Sequence, residues 1–201
     1  LVFYLNGFNR ISIIILVHEI GISIMTEDGL VIVYTGGGKG KTTAALGMAL
    51  RAVGYQHKVC MIQFIKGSWH YGEMDSSKKL TPEFELIAVG KGFVGILDDT
   101  SPKEEHKKYA KEAIQTCKEK IMSEKYDLII LDEINYAVNL GLINIESVVE
   151  LIKIKPKKLD LVLTGNHAKE EIIELADLVT EMKEIKHPFK SGKKAKKGID
   201  F

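Results

Sequence analysis

Leu30-Val31-Ile32-Val33-Tyr34-Thr35-Gly36-Gly37-Gly38-Lys39-Gly40-Lys41-Thr42-Thr43 is the stretch that decides the fold. An apolar, β-favouring run, 30–34, leads into a glycine turn, and an apolar run from Ala44 to Val53 reads as the helix that follows. Strand, glycine turn and helix form the context of a phosphate-binding loop. Glycine tolerates positive φ, so successive backbone N–H groups can point into one hollow. The new helix adds its own unpaired N–H groups and the positive end of its dipole. The residues expected to cradle a polyphosphate are Thr35, Gly36, Gly37, Gly38, Lys39, Gly40, Lys41, Thr42 and Thr43. Lys41 brings a mobile positive charge and Thr42 a hydroxyl for Mg²⁺.

The usual spacing is G-x-x-x-x-G-K-[ST]. Counting back from Gly40 puts Thr35 where the first glycine belongs, and counting from Gly36 leaves the loop one residue short. Lys39 is an extra cation inside it. A glycine-rich turn with no ligand is the alternative reading.

Outward from the loop, strands are expected at 58–64, 84–89, 127–133, 159–163 and 178–182. The helix 42–53 is apolar nearly all round and is expected to be sandwiched against the sheet. Residues 66–82 read as a polar loop carrying Trp69, His70, Tyr71 and Glu73, and Gly90 to Gly95 as a flexible loop around Phe93. Ser101-Pro102 opens a long helix to about Ser123, with proline in a first-turn position. Tyr109, Ala113, Cys117 and Ile121 recur every four residues and mark its buried side. Asn144 is placed to cap a helix to Ile154 with Val148, Leu151 and Ile152 inward; a short helix follows at 169–176. Strands alternating with helices imply a parallel sheet with right-handed crossovers. The expected fold is α/β, a P-loop NTPase (RecA-like) three-layer sandwich with a mainly parallel sheet of about six strands.

Asp127-Leu128-Ile129-Ile130-Leu131-Asp132-Glu133 is an apolar strand ending in two carboxylates. In a parallel sheet the strand ends gather at one edge, beside the phosphate loop. Asp132 or Glu133 there can hold Mg²⁺ directly or through water, the Walker B arrangement; a carboxylate pair that merely caps a loop is the alternative.

The chain has 201 residues, 45% hydrophobic and 27% charged, which suits one soluble α/β domain. A net charge of +1 gives no argument for nucleic acid. Cys60 and Cys117 both fall on apolar faces and are expected as buried thiols in a reducing cytoplasm. The apolar run Ile11 to Val17 is interrupted by His18 and Glu19 and is too short to span a bilayer. Met25-Thr26-Glu27-Asp28-Gly29 reads as a normal protein start, so residues 1–24 are expected to be upstream sequence or a dispensable extension before a domain covering 25–201; a docking strand or helix is the alternative. The stretch 183–197 carries seven lysines and one glutamate, a solvated tail or a phosphate-attracting one, in which His187-Pro188-Phe189 suggests an anchored turn. No Ser/His/Asp or Cys/His arrangement points to a nucleophilic enzyme, and the lone histidines receive no catalytic role.

Several pieces together resemble the P-loop type ATP:corrinoid adenosyltransferases, the cob(I)alamin adenosyltransferases. They are Val33 to Gly47, Gln63-Phe64-Ile65-Lys66-Gly67, Leu131-Asp132-Glu133-Ile134, Leu163-Thr164-Gly165 and Ala176 to Met182. The closing segment adds Lys186-His187-Pro188-Phe189 and Gly198-Ile199-Asp200-Phe201. The short loop is this family's own version. The resemblance implies transfer of the 5′-deoxyadenosyl group of ATP to the Co(I) of a reduced corrinoid, leaving tripolyphosphate, in adenosylcobalamin biosynthesis or salvage. It implies Mg²⁺, with Mn²⁺ as a substitute, and a nucleotide lying reversed so that its 5′-carbon is presented. Lys41, Thr42 and Glu133 are the catalytic residues it implies, with Thr42, Asp132 and Glu133 toward the metal and Phe93 toward the corrinoid, where it fills the vacated lower axial position. A reduced flavoprotein donor and a homodimer are also implied, with no nucleic acid or membrane partner. Two departures stand out. Asn166 replaces the arginine of Thr-Gly-Arg and lacks its charge and forked donors, and Gly95 stands where some members have tryptophan. A P-loop kinase or hydrolase releasing ADP and orthophosphate, and a non-catalytic nucleotide or corrinoid binder, are the other readings.

Overall fold

The computed structural model describes residues 28–65, 70–89 and 103–200. The expectations for residues 1–24 and for Phe93 and Gly95 lie outside them. Six strands form one parallel sheet: β1 (Val31–Thr35), β2 (Val59–Gln63), β3 (Phe84–Ala88), β4 (Leu128–Asp132), β5 (Asp160–Thr164) and β6 (Leu178–Glu181). Their order is β3-β2-β4-β5-β1-β6, so β5 lies between the loop strand β1 and the carboxylate strand β4. The register places Tyr34 beside Thr164 and Gln63 beside Asp132, which lines up the polar strand ends along one edge.

The helices are α1 (Lys41–Gly54), α2 (Gly72–Lys79), α3 (Lys103–Met122), α4 (Ile134–Asn139), α5 (Ile145–Ile154) and α6 (Glu170–Ile173). Alternation along each strand divides the apolar residues between two cores. Ile32, Met61, Ile130 and Val162 pack with Ala45 and Ala49 of α1 on one face. Val33, Ile62, Leu131 and Leu163 pack on the other with residues of α3 to α6. The result is the expected three-layer sandwich. On α3, Ala113, Cys117 and Ile121 are buried, as their four-residue spacing requires, whereas Tyr109, expected on the same side, is only half-buried. Val148, Leu151 and Ile152 of α5 face inward, although the Asn144 side chain makes no capping hydrogen bond.

Three expectations are corrected. The polar loop 66–82 contains α2, which buries little beyond Ser77 and so lacks an apolar period. Its signal is charge order: Glu73 and Asp75 in the first turn and Lys78 and Lys79 in the last, each complementing the helix dipole. Helix α4 follows β4 directly, where no element was expected. Helix α1 is not enclosed all round, because it buries Lys41, Ala45 and Ala49 and leaves Leu50 62% exposed.

Candidate active site

β1 delivers Thr35 to the sheet edge, and the chain turns through Gly36 (φ 94°) and Gly40 (φ 111°) into α1. Glycine is also required here for close approach. A Cβ on Gly36 would lie 2.6 Å from the Met182 carbonyl oxygen, and one on Gly38 2.7 Å from the same atom. Gly37 has open space around its Cβ position. The chain leaving β6 therefore runs directly against the loop. The Gly38 N–H donates to Met182 O at 2.6 Å and the Met182 N–H to Thr35 O at 2.8 Å.

Lys41 is the first residue of α1 and is buried. Its Nζ donates to Gly36 O and Gly38 O, each at 2.8 Å, so the ammonium lies within the loop. Burial lowers its pKa from the ordinary 10.5, while the charges of Glu133 and Asp132 act to raise it. A cation that has lost hydration and sits on neutral carbonyls is primed to bind an anion.

Asp132 is fully buried at the end of β4. Its Oδ1 accepts from Thr42 Oγ1 at 2.9 Å and from Thr164 Oγ1 at 2.7 Å, and its Oδ2 from Gln63 Nε2 at 3.2 Å. Thr164 Oγ1 in turn accepts from the Glu133 N–H at 2.9 Å. Glu133 adopts a left-handed conformation (φ 64°) that turns the chain sharply from β4 into α4. A non-glycine residue in this region is strained and persists only where its surroundings hold it. The oxygens of Thr42 and Asp132 have the chemistry that suits a hard divalent cation.

The structure thus gathers Lys41, Thr42, Asp132 and the Glu133 backbone around one edge. Other residues of the loop are placed differently. The Thr35 hydroxyl accepts from the Ala168 N–H at 3.1 Å and so ties β1 to the turn after β5. Thr43 and Lys39 are exposed, and Lys39 pairs with Asp200. Sequence reasoning did not single out Thr164, Gln63, Met182 or Asp200 as site residues. Gln63 and Thr164 carried a legible signal, since each is a polar residue ending an apolar strand; Met182 and Asp200 lie in segments that carry the family resemblance, but neither residue by itself points to the loop. Three amide side chains at the same edge are less well satisfied. Gln63 Oε1, Asn166 Oδ1 and both polar side-chain atoms of Asn135 are buried without a hydrogen-bond partner among the described residues. Gln63 ends β2, and Asn135 and Asn166 follow the ends of β4 and β5, which shows an edge not optimised for stability.

The family described as ATP:corrinoid adenosyltransferase BtuR/CobO/CobP matches residues 27–201. The corrinoid adenosyltransferase of Escherichia coli (strain K12) is 39% identical over 175 residues, 87% of each chain. That of a Sinorhizobium species is 41% identical over 177 residues, 87% of this chain and 81% of the relative. Among solved structures, the flagellar accessory protein FlaH from Methanocaldococcus jannaschii superposes with a TM-score of 0.51 at 16% identity. That match covers 83% of this chain and 75% of FlaH, and it bears on the fold alone. With a short phosphate loop, a strand-end Asp-Glu pair and two relatives matched over most of their length, this chain belongs to the ATP:corrinoid adenosyltransferase family.

Proposed function

We propose that the protein transfers the 5′-deoxyadenosyl group of ATP to the Co(I) of a reduced corrinoid and releases tripolyphosphate. The observation that carries this reading is the family match across residues 27–201. The loop geometry supports it, because a buried ammonium at the first residue of a helix suits a polyphosphate.

The reaction is a displacement at the ribose 5′-carbon. The cobalt–carbon bond forms as the bond from C5′ to the α-phosphate oxygen breaks, and the electron pair leaves with tripolyphosphate. The nucleophile is part of the substrate, so no side chain has to act as a general base. The protein's task is to align C5′ with the cobalt and to stabilise charge on the departing triphosphate. Lys41, released from the Gly36 and Gly38 carbonyls, takes that charge. Thr42 and Asp132 or Glu133 would hold Mg²⁺, which adds a second positive charge at the phosphates when bound. Among the described residues no cluster of three His, Cys, Asp or Glu side chains forms a metal cage. That fits an ion that keeps most of its shell for water and substrate phosphate. Phe93 toward the corrinoid, a reduced flavoprotein as electron donor, a reversed nucleotide and a homodimer complete the reading.

The test is anaerobic incubation with ATP, Mg²⁺ and chemically reduced cobalamin, followed by the visible spectrum and by phosphate analysis. An adenosylcobalamin spectrum with one tripolyphosphate per corrinoid is expected. In Lys41→Ala, transfer should fall by about a hundredfold or more, the scale of losing one charge-stabilising group. ADP and orthophosphate as the products, with an unchanged cobalamin spectrum, would overturn the reading.

A further inference from the structure

We propose that the stretch 182–200 is a strap that preforms the phosphate loop, and that Asp200 is a positioning residue acting on it through Lys39. The proposal deepens the reading above, since it concerns the same loop and its polyphosphate.

Both ends of the stretch meet the loop. At the near end Met182 exchanges hydrogen bonds with Thr35 and Gly38, and the backbone of 182–183 fills the space that side chains at 36 and 38 would need. At the far end Asp200 pairs with Lys39, two residues before Lys41. Between these anchors the chain is held by local contacts. Glu184 pairs with Lys190, the His187 Nδ1 accepts from the Phe189 N–H at 3.1 Å, and a 3₁₀ turn spans Pro188–Ser191.

The turn at 196–200 is shaped to present a carboxylate. The Ile199 and Asp200 N–H groups donate to Lys196 O, and the Lys196 N–H donates back to Asp200 Oδ2 at 2.8 Å. One carboxylate oxygen therefore closes the turn while Oδ1 reaches Lys39. The Lys39 ammonium first, and the Lys196 backbone N–H second, hold the Asp200 carboxyl below its ordinary range.

Residues 36–40 include four glycines and would otherwise lose much conformational freedom on binding a ligand. Anchoring the loop at Gly38 and Lys39 removes part of that cost before the polyphosphate arrives. The Lys39 side chain is 53% exposed and that of Asp200 15%, so the pair is screened on the lysine side and contributes little to global stability. Its effect is local, and that separates it from a general structural role.

The experiment uses the full chain with Asp200→Asn and Asp200→Glu. In nucleotide-free protein, amide hydrogen exchange at residues 36–40 should rise in Asp200→Asn while the melting temperature stays put. Calorimetric titration with tripolyphosphate should show affinity lowered about three- to fivefold, the scale of one exposed ion pair, with most of it restored in Asp200→Glu. Simple electrostatics predicts the opposite, because removing a negative charge beside a polyanion site should tighten binding. Unchanged or tighter tripolyphosphate binding in Asp200→Asn therefore overturns the proposal. A wild-type protein that binds no tripolyphosphate would sink the proposed function instead. Loop exchange in the free protein then decides on the strap alone, and unchanged exchange rejects it.

Discussion

Asp132 shows what a single residue requires at this sheet edge. A fully buried carboxylate is tolerable only when its lone pairs are used, and Thr42, Thr164 and Gln63 supply donors from three different elements. Thr164 also accepts from the Glu133 N–H and so helps hold the left-handed turn there. Thr164→Val keeps the shape but removes both interactions. It should destabilise the protein by about 2–3 kcal/mol, as a buried charge loses a donor and a backbone N–H loses its acceptor. Thr164→Ser, which loses only a methyl group, should cost about 1 kcal/mol. Urea denaturation measures both, and a valine variant no worse than serine would refute the account.

At the scale of an element, α1 meets the sheet through a narrower face than its sequence suggests. It approaches the sheet through Ala45 and Ala49, at 0% and 1% exposure, against Ile32, Met61 and their neighbours. Small residues there bring the start of the helix, with Lys41 and Thr42, close to the strand ends. Ala49→Leu inserts three carbons at a fully buried contact and should cost about 1–3 kcal/mol. Leu50→Ala, one position along on the solvent side, should stay within about 0.5 kcal/mol. Thermal or chemical denaturation of the pair tests the stripe, and equal effects would mean that α1 is not seated as described. The same helix shows why an apolar composition misleads: Ala45 and Ala49 are its fully buried contacts, while Leu46, Met48 and Val53 pack only partly against the same core and Leu50 faces solvent.

The whole molecule places both thiols in one layer, between the sheet and α3. Cys60 and Cys117 are each fully buried in the same core. Burial, then the Glu85 charge, pushes the Cys60 pKa from 9.0 up to about 12, against the opposing pull of Lys120. Burial raises Cys117 in the same direction. A raised folded-state pKa means that the native protein keeps a proton the unfolded chain gives up. The contribution of Cys60 to stability is thus complete below pH 9 and is lost as the pH rises from 9.0 toward about 12. Urea midpoints measured across that range should fall more steeply in the wild type than in Cys60→Ala. Parallel slopes would contradict the assignment.

Much of this protein was settled by spacing along the chain. The phosphate loop, the alternation of strands and helices, the strand ending in Asp132-Glu133 and the buried sides of α3 and α5 all depend on residues a few positions apart. Local backbone preference and hydrophobic period act over that range. The family followed from the same short motifs. What only the folded chain decided are the partnerships between distant residues: Thr42 with Asp132, Thr164 with Glu133, Met182 against Gly38, and Asp200 on Lys39. The last of these joins residues 161 positions apart. The contacts along the sheet edge follow from the strand order β3-β2-β4-β5-β1-β6 and its register, and the Asp200–Lys39 pair from the path of the chain after β6. A hydrophobic period records which way a side chain faces, but it carries no record of which strand lies next door.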